Sequence, residues 1–182
     1  MSHTPRDWGG WVYFAGIETF QIQIDFGLWE RFLNRHPVYG IVELGTGCGG
    51  FTHFLALQAY NRGARFVTVD HKDFLPDRPL TELLGLRERF RLLNIFTVEG
   101  HAALEREIAT LPRPRLVFCD DGDKPREFRE FGQLLEPGDY IAVHDWGTEF
   151  QPEDVCGQVE MVMGRECEEM DSMTRWFRIK TA

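Results

Sequence analysis

The sequence lacks any continuous run of 18 or more apolar residues, so no segment of it has the composition of a membrane-spanning helix. Its first residues also lack the basic and then apolar order of a secretory signal. These two absences argue against a helical membrane protein and favour a cytoplasmic one. We therefore expect no membrane partner.

Cysteine is scarce, and the four cysteines form no Cys-x-x-Cys pair. Cys48 and Cys119 fall within segments that we predict to be buried, which favours reduced thiols over a disulfide scaffold. Cys156 and Cys167 do not supply the ligand spacing of a structural zinc site either. We therefore expect reduced thiols and no zinc site.

Basic charge is also scarce, since 20 Lys and Arg residues stand against 29 Asp and Glu residues and give a formal net charge of −9. Binding to a nucleic-acid backbone depends on clustered Lys and Arg. The densest basic stretch, 86–91, is interrupted by Glu88 and is typical of a solvated face. We therefore expect no nucleic-acid partner.

What the sequence does contain is enough apolar material for one core, because 43% of its 182 residues are hydrophobic and 13% are aromatic. Helical and strand patterns alternate along the chain, which is typical of an α/β protein with a doubly wound, mostly parallel, Rossmann-like sheet. We predict a single domain over 1–182. Within it, 1–38 is an N-terminal cap segment and 39–182 is the Rossmann-like core.

The apolar pattern also predicts the individual elements of that core. Five parallel strands are expected at 40–44, 66–69, 95–98, 116–119 and 140–143. At the C-terminus we predict a helix over 152–163 and then a hairpin of two strands, 165–170 and 173–180. This hairpin would place an antiparallel strand in the sheet.

A glycine-rich turn follows the first predicted core strand, where residues 41–50 read Ile-Val-Glu-Leu-Gly-Thr-Gly-Cys-Gly-Gly. Glycines let the backbone approach a bulky ligand, and the following helix offers free N–H groups and the positive end of its dipole. Asp70 ends the next predicted strand, where a carboxylate can accept hydrogen bonds from two ribose hydroxyls. The pattern predicts a site for a nucleotide-type cofactor.

The glycine pattern leaves the kind of cofactor open. Gly45, Gly47 and Gly50 also satisfy the Gly-x-Gly-x-x-Gly pattern of dinucleotide binding, so a small NAD-binding oxidoreductase is one alternative. Glu43 favours another cofactor, because an acid two residues before the first glycine has no role beside a pyrophosphate but suits a ligand with an ammonium and a sulfonium. A third alternative is a non-catalytic nucleotide-cofactor-binding domain that acts through partners.

Residues 42–50 resemble motif I of the class I S-adenosylmethionine-dependent methyltransferases. Residues 116–123 and 134–145 resemble the fourth-strand motif and the Pro-Gly turn with the fifth strand of that family, in the same order. The resemblance implies the seven-stranded methyltransferase fold and S-adenosylmethionine as cofactor. It places the following residues at the cofactor: Glu43, Gly45, Thr46, Gly47, Gly49, Asp70, His71, Glu99, Gly100, His101 and Asp120.

Acids and a histidine follow the fourth and fifth predicted strands, where open α/β sheets bind ligands. This arrangement resembles the metal-dependent O-methyltransferases, most of all the branch related to cephalosporin hydroxylase and sugar O-methyltransferases. It implies methylation of a sugar or phenolic hydroxyl on a small-molecule acceptor, with a divalent cation, Mg or Mn. The implied metal ligands are Asp120, Asp121, His144 and Asp145.

Two departures from that family bear on the metal. His144 stands where the family has Asp or Glu, and histidine binds Mn or Fe but is a poor ligand for Mg. The doubled Asp120 and Asp121 leave open which of the two acids joins the site. His144 is alternatively a general base or a structural wall of the pocket.

The expected catalytic residues are Asp120, His144 and Lys124. Lys124 lies one residue later than the catalytic lysine of catechol O-methyltransferase would predict. As a base it needs a pKa that is depressed by burial or by a nearby metal. Otherwise it is a surface lysine before the next helix, and the sequence favours this surface position.

The aromatic and glycine-rich segment from Trp8 to Phe20 lies outside the repeating core pattern. In related enzymes the segment before the first core strand covers the cofactor, so Thr19 and Gln21 are expected at the methionine carboxylate. Trp8 and Trp11 are expected to line the acceptor pocket. Alternatively, the segment buries a homodimer interface.

Overall fold

The computed structural model describes residues 12–181, in which a hairpin of β1 (Val12–Phe14) and β2 (Ile17–Thr19) precedes a seven-stranded sheet. The strands of the sheet are β3 (Gly40–Leu44), β4 (Arg65–Asp70), β5 (Phe90–Leu92), β6 (Arg115–Cys119), β7 (Tyr140–Val143), β8 (Val159–Val162) and β9 (Arg175–Ile179). The helices are α1 (Gln23–Arg35), α2 (Gly50–Arg62), α3 (Pro79–Leu83), α4 (Leu86–Arg89), α5 (Val98–Thr110), α6 (Lys124–Gly132) and α7 (Gly164–Met170). None of the helices in this part of the chain is both long and apolar enough to cross a membrane.

The strand order in the sheet is β5-β4-β3-β6-β7-β9-β8. Strands β3 to β7 run parallel, whereas β9 lies antiparallel between β7 and β8. From β3 the chain continues through β4 to β5 at one edge of the sheet. From β6 it continues through β7 toward the other edge. The switch point therefore lies between these two strands, where open α/β sheets bind ligands at the carboxyl ends. The predicted doubly wound, mostly parallel sheet with an antiparallel C-terminal strand is confirmed.

Helices on both faces bury the central strands over their full length. On one face, α1 and α2 contribute to an aromatic cluster in which Trp29 packs edge-on against Phe51 and Phe118. On the other face, α5 and α6 contribute Leu104 and Phe131 to a second apolar cluster. The central strands therefore form a rigid support for whatever their carboxyl ends carry.

The predicted third strand at 95–98 is wrong. The strand is instead Phe90–Leu92, which pairs with β4 at the edge of the sheet. Residues 95–98 lead into α5, because the Thr97 side chain accepts a hydrogen bond from the Gly100 amide and caps that helix.

The predicted C-terminal elements are partly wrong. A 3-10 turn at Pro152–Asp154 and strand β8 occupy the segment that was expected to be one helix. Gly157, with a φ of 80°, takes a left-handed conformation that interrupts any helix across this segment. Helix α7 covers the whole of the first predicted hairpin strand, 165–170, so the hairpin partner of β9 is β8.

The hairpin of β1 and β2 lies against the start of α2. A Cβ atom at Gly50 would lie 2.4 Å from the carbonyl oxygen of Glu18, so this close approach requires glycine. Thr19 and Phe20 lie next to the glycine turn that precedes α2. The predicted contacts of Trp8 and Trp11 fall outside the residues that the structure describes.

Candidate functional site

The turn between β3 and α2 is built from glycines that no other residue could replace without strain. Gly45, Gly47 and Gly49 have positive φ values of 90°, 49° and 87°. A Cβ atom at Gly45 would also lie 2.3 Å from the carbonyl oxygen of Asp120, at the end of β6. The turn, called here the glycine turn (residues 45–49), forms one wall of a cavity of about 300 Å³.

Glu43 lines this cavity although its side chain is buried. The hydroxyls of Thr52 and Thr68 each donate a hydrogen bond of 2.7 Å to its Oε2 atom. Burial raises the pKa of Glu43 to about 8, and the carboxylates of Asp120 and Asp70 act in the same direction against the two hydroxyl bonds. The group is therefore mostly neutral near pH 7, and a cation beside it would favour its ionised form.

Asp70 holds the glycine turn in shape. Its Oδ2 atom accepts hydrogen bonds from the amides of Thr46 (3.0 Å) and Gly47 (3.2 Å), and its Oδ1 atom accepts one from the amide of Lys72 (3.0 Å). Carboxylate oxygens can accept further hydrogen bonds in addition to these. The contact of Asp70 with ribose hydroxyls stays a prediction.

The cavity brings together many of the residues that the sequence assigned to the site. Those in its wall are Glu43, Gly45, Thr46, Gly47, Gly49, Asp120, Asp121, Lys124, His144 and Asp145. Those outside its wall are Asp70, His71, Glu99, Gly100 and His101. The start of α5 has a packing role, because the His101 ring stacks on Phe131 with centroids 5.0 Å apart. The predicted cofactor contacts of residues 99–101 stay a prediction.

Asp120, His144 and Asp145 form the acid–histidine cluster at the carboxyl ends of β6 and β7. The Nδ1 atom of His144 lies 3.2 Å from Asp120 Oδ1 and 3.3 Å from Asp145 Oδ1. Neighbouring ligands of an octahedral ion lie about 3 Å apart, because the ion–oxygen distance is about 2.1 Å. One ligand atom from each of the three residues is therefore placed to suit a single cation. Asp145 reaches this position through a left-handed backbone, with a φ of 59°.

Asp120 and Asp121, the two successive aspartates after β6, belong to two different clusters of side chains. Asp121 Oδ1 lies 3.9 Å from the Nδ1 atom of His71, which itself lies 3.2 Å from Asp70 Oδ1. These three residues form the turn-side cluster. Burial, together with the charge of Asp70, raises the pKa of Asp121 to about 6. The predicted set of four metal ligands is thus divided, and Asp120 is the acid that lies beside His144 and Asp145.

Lys124 is buried, with 4% of its surface exposed, and not at the surface as the sequence favoured. Its Nζ atom lies 2.8 Å from Glu149 Oε2, 2.9 Å from Asp145 Oδ2 and 3.6 Å from Asp120 Oδ1. Burial lowers the pKa of this ammonium, but the three carboxylates outweigh burial and raise it above its usual value. Lys124 is therefore a fixed cation of the site and not a general base.

The same carboxylates act on His144. Burial lowers the pKa of the imidazole, whereas Asp120 and Asp145 raise it to about 10. Against the opposing effect of burial, His144 and Lys124 hold the pKa of Asp145 well below its usual value. The imidazole is therefore protonated near pH 7 unless another cation takes the place of its proton.

Further residues complete the surroundings of the acid–histidine cluster. Gln21 was expected at a cofactor carboxylate, and its Nε2 atom donates a hydrogen bond of 2.7 Å to Asp120 Oδ2. Glu149 and Asp25 were missed. Glu149 comes from the loop after β7, and Asp25 comes from α1 with its Oδ2 atom 3.8 Å from His144 Nε2. Neither residue belongs to a local sequence pattern that would have marked it.

No protein-family model and no curated protein sequence matches this chain. Solved structures do match it in fold. The apo structure of CmcI gives a TM-score of 0.73 at 15% sequence identity over 98% of this chain and 82% of that one. The structure of CmcI with Mg-SAM gives a TM-score of 0.62 at 16% identity over 78% of this chain and 62% of that one.

A third match is TomG, an O-methyltransferase from Streptomyces achromogenes that is involved in tomaymycin synthesis and was solved in complex with SAM. Its TM-score is 0.55 at 15% identity over 87% of this chain and 80% of that one. At these sequence identities the matches establish the fold. The chain has the fold that CmcI and the O-methyltransferase TomG share, which confirms the predicted methyltransferase fold.

Proposed function

We propose that this protein is an S-adenosylmethionine-dependent methyltransferase that methylates a hydroxyl group of a small molecule, such as a sugar or a phenol, with the help of a divalent cation. The observation that carries this proposal is the presence of the glycine turn, Glu43 and the acid–histidine cluster in the wall of one cavity. The shared fold with structures solved with SAM and Mg-SAM supports it.

The glycine turn and Glu43 suit the charged end of S-adenosylmethionine. The turn offers the ligand backbone without side-chain bulk, because residues 45, 47 and 49 have no Cβ atom. Glu43 gains a full negative charge when an ammonium or a sulfonium binds beside it. A pyrophosphate would instead keep Glu43 neutral and would gain no charge pairing from it, so Glu43 favours S-adenosylmethionine over NAD.

The acid–histidine cluster suits a divalent cation through its donor atoms. Asp120 and Asp145 each offer a carboxylate oxygen, and His144 offers a ring nitrogen at the spacing of neighbouring ligands. Imidazole binds Mn better than Mg, so we propose Mn as the preferred ion. Such an ion, when bound, lowers the pKa of an acceptor hydroxyl that contacts it.

Two residues beside the cluster act on the acceptor hydroxyl: one stabilises its negative charge and the other accepts its proton. Lys124, held by Asp145 and Glu149, stabilises the negative charge that develops on the acceptor oxygen. Glu149, with a side chain that is 58% exposed, receives the hydroxyl proton and releases it to solvent. The acceptor oxygen forms a bond to the methyl carbon as the bond from that carbon to sulfur breaks. The cavity wall holds the two reactants in line.

The N-terminal segment is proposed to cover the bound cofactor and to contribute to the acceptor pocket. Thr19, Phe20 and Gln21 line the same cavity as the acid–histidine cluster, which supports a covering role. The hydrogen bond from Gln21 to Asp120 connects this segment directly to the proposed metal ligands.

A methyl-transfer assay on a panel of sugar and phenolic acceptors tests this function. We expect transfer from S-adenosylmethionine to stop in excess EDTA and to return with added Mn, and to a smaller extent with Mg. Full activity in excess EDTA would remove the cation from the proposal. Absence of transfer to every acceptor, together with absence of S-adenosylhomocysteine binding, would overturn the methyltransferase itself.

A further inference from the structure

The second ring nitrogen of His144 faces away from the acid–histidine cluster. The Nδ1 atom lies next to Asp120 and Asp145, whereas the Nε2 atom is buried and has no hydrogen-bond partner among the residues that the structure describes. Leaving a buried polar group without a partner is costly, so this nitrogen calls for an acceptor.

Asp25 is the acid that lies beside this nitrogen. It comes from α1, its side chain is fully buried, and its Oδ2 atom lies 3.8 Å from His144 Nε2. Two hydroxyls fix its position, since Ser172 donates to Oδ1 (2.6 Å) and Thr174 donates to Oδ2 (3.1 Å). Within residues 12–181, His144 is the one basic side chain that comes within 4.0 Å of the Asp25 carboxylate.

Several groups compensate the buried carboxylate of Asp25. Burying a carboxylate is costly unless a cation or several donors compensate its charge. The Ser172 hydroxyl donates to Oδ1, the Thr174 hydroxyl donates to Oδ2, and the Met173 backbone provides a third hydrogen bond to the carboxylate. The imidazole of His144 lies beside the same carboxylate and supplies positive charge next to it.

We propose that Asp25 is a positioning residue, which accepts a hydrogen bond from His144 Nε2–H and thereby directs the Nδ1 lone pair toward Asp120 and Asp145 for a divalent cation. The separation of 3.8 Å is about 1 Å longer than a charge-assisted hydrogen bond, so the ring and the carboxylate approach each other when the bond forms. A carboxylate on the outer nitrogen fixes the tautomer of the ring and strengthens the inner nitrogen as a ligand. This role rests on the proposed cation site and adds to it the residue that orients the histidine.

Binding of Mn(II) to the full chain, measured by isothermal titration calorimetry, tests this role. We expect Asp25→Asn to weaken Mn(II) binding by about 10- to 100-fold. The matched control is Asp139→Asn, because Asp139 is equally buried but lies at the opposite end of β7, where it accepts bonds from the Arg113 side chain and the Arg115 amide. The control should lose stability and keep the wild-type affinity for Mn(II).

The same substitution in a His144→Glu variant distinguishes orientation of the His144 ring from a general structural role of Asp25. In a His144→Glu background there is no ring nitrogen to orient, so adding Asp25→Asn should not weaken Mn(II) binding further. Equal losses in both backgrounds would overturn the role. If Asp25→Asn lacks a cooperative thermal transition, Ser172→Ala replaces it, because it removes the donor to Asp25 Oδ1 and should weaken Mn(II) binding severalfold.

Proton NMR of the metal-free protein tests the pairing of Asp25 with His144 independently of the proposed function. In proton NMR spectra, the buried Nε2–H of His144 bonded to a carboxylate should give a slowly exchanging low-field resonance. Asp25→Asn and His144→Gln should both lose this resonance, and Asp139→Asn should keep it. Wild-type protein that shows the resonance but binds no Mn(II) would contradict the proposed cation site while supporting the pairing. A resonance that persists in Asp25→Asn would overturn the pairing.

Discussion

The acid–histidine cluster and the turn-side cluster begin from adjacent residues, Asp120 and Asp121, but their carboxylates are compensated in different ways. In the turn-side cluster, Asp70 accepts hydrogen bonds from three backbone amides, and His71 is 46% exposed. In the acid–histidine cluster, the carboxylates meet the buried side chains of His144 and Lys124. Backbone amides compensate the carboxylate of Asp70 in the turn-side cluster, whereas side-chain cations compensate the carboxylates of the acid–histidine cluster.

This difference indicates what each cluster can do. Amides that belong to the glycine turn cannot leave without unfolding it, so the turn-side cluster is suited to holding the backbone at a cofactor. A metal ion can take the place of a proton on a histidine nitrogen, and His144 offers such a nitrogen beside two carboxylates. The acid–histidine cluster is therefore the part of the site that is suited to chemistry.

Breaking the acid–histidine cluster alone has the largest expected effect. Asp145→Asn removes one of the proposed carboxylate ligands and keeps a residue that tolerates the left-handed backbone. Methyl transfer should fall by at least about 100-fold, as expected for the loss of several kcal/mol of stabilisation by the cation. Affinity for S-adenosylhomocysteine, measured by calorimetry, should stay unchanged.

The matched control for this variant is Asp123→Asn. Asp123 caps α6 through a hydrogen bond from the Arg126 amide and lies outside both clusters, and asparagine caps a helix as well as aspartate does. Its initial rate should equal that of the wild type. Similar losses in the two variants would show that charge near β6, and not the cluster, controls the rate.

Breaking the turn-side cluster should give the opposite pattern. Asp70→Ala should weaken S-adenosylhomocysteine binding at least about tenfold, because hydrogen bonds to a charged acceptor contribute about 1.5 to 3 kcal/mol. Calorimetry with Mn(II) should give the wild-type affinity for the ion. Parallel loss of both ligands would show that the two clusters act as one.

Burial and the charges of Asp120 and Asp70, one from each cluster, raise the pKa of Glu43. Cofactor affinity should therefore depend on pH through Glu43. Its pKa is raised to about 8, and a bound ammonium lowers that pKa, so binding near pH 7 should release a proton. Affinity for S-adenosylhomocysteine should rise about tenfold per pH unit below 8 and level off above it. Calorimetry in buffers of different ionisation enthalpy measures the proton, and Glu43→Gln should abolish its release. A pH-independent affinity in the wild type would contradict this role.

The smallest expected effect concerns the cation that the acid–histidine cluster already contains. Lys124→Met keeps the buried stem and removes the ammonium that contacts Asp145 and Asp120, the carboxylates proposed to bind the metal. Mn(II) binding should tighten by about three- to tenfold, whereas methyl transfer should fall because the acceptor oxygen loses its stabilising charge. Weaker Mn(II) binding in this variant would show that Lys124 supports the site and does not compete for it.

The sequence predicts the central strands well because helices bury them on both faces. Continuous apolar runs such as 116–119 and 140–143 are typical of parallel strands in such a sheet. The edge strands are less distinct. Strand β5 contains Arg91, and β8 contains Glu160 and the exposed Met161, so neither carries a strand signal of its own.

The site is predictable where its residues directly follow a strand, as Asp120, His144 and Asp145 do. Which of two successive aspartates joins the cluster depends on the strand register to within one residue, and sequence patterns do not determine that register. Asp25 and Glu149 reach the cluster from a distant helix and from a loop. Only the tertiary packing of α1 and the course of the loop after β7 bring them there.

We propose that the glycine turn, Glu43 and the acid–histidine cluster together form one site for S-adenosylmethionine. Calorimetric titration of the wild-type chain with S-adenosylhomocysteine, and in parallel with NADH, tests it most directly. We expect one S-adenosylhomocysteine molecule to bind per chain and NADH to bind more weakly or not at all. Tighter binding of NADH, or the absence of any binding of S-adenosylhomocysteine, would contradict the claim.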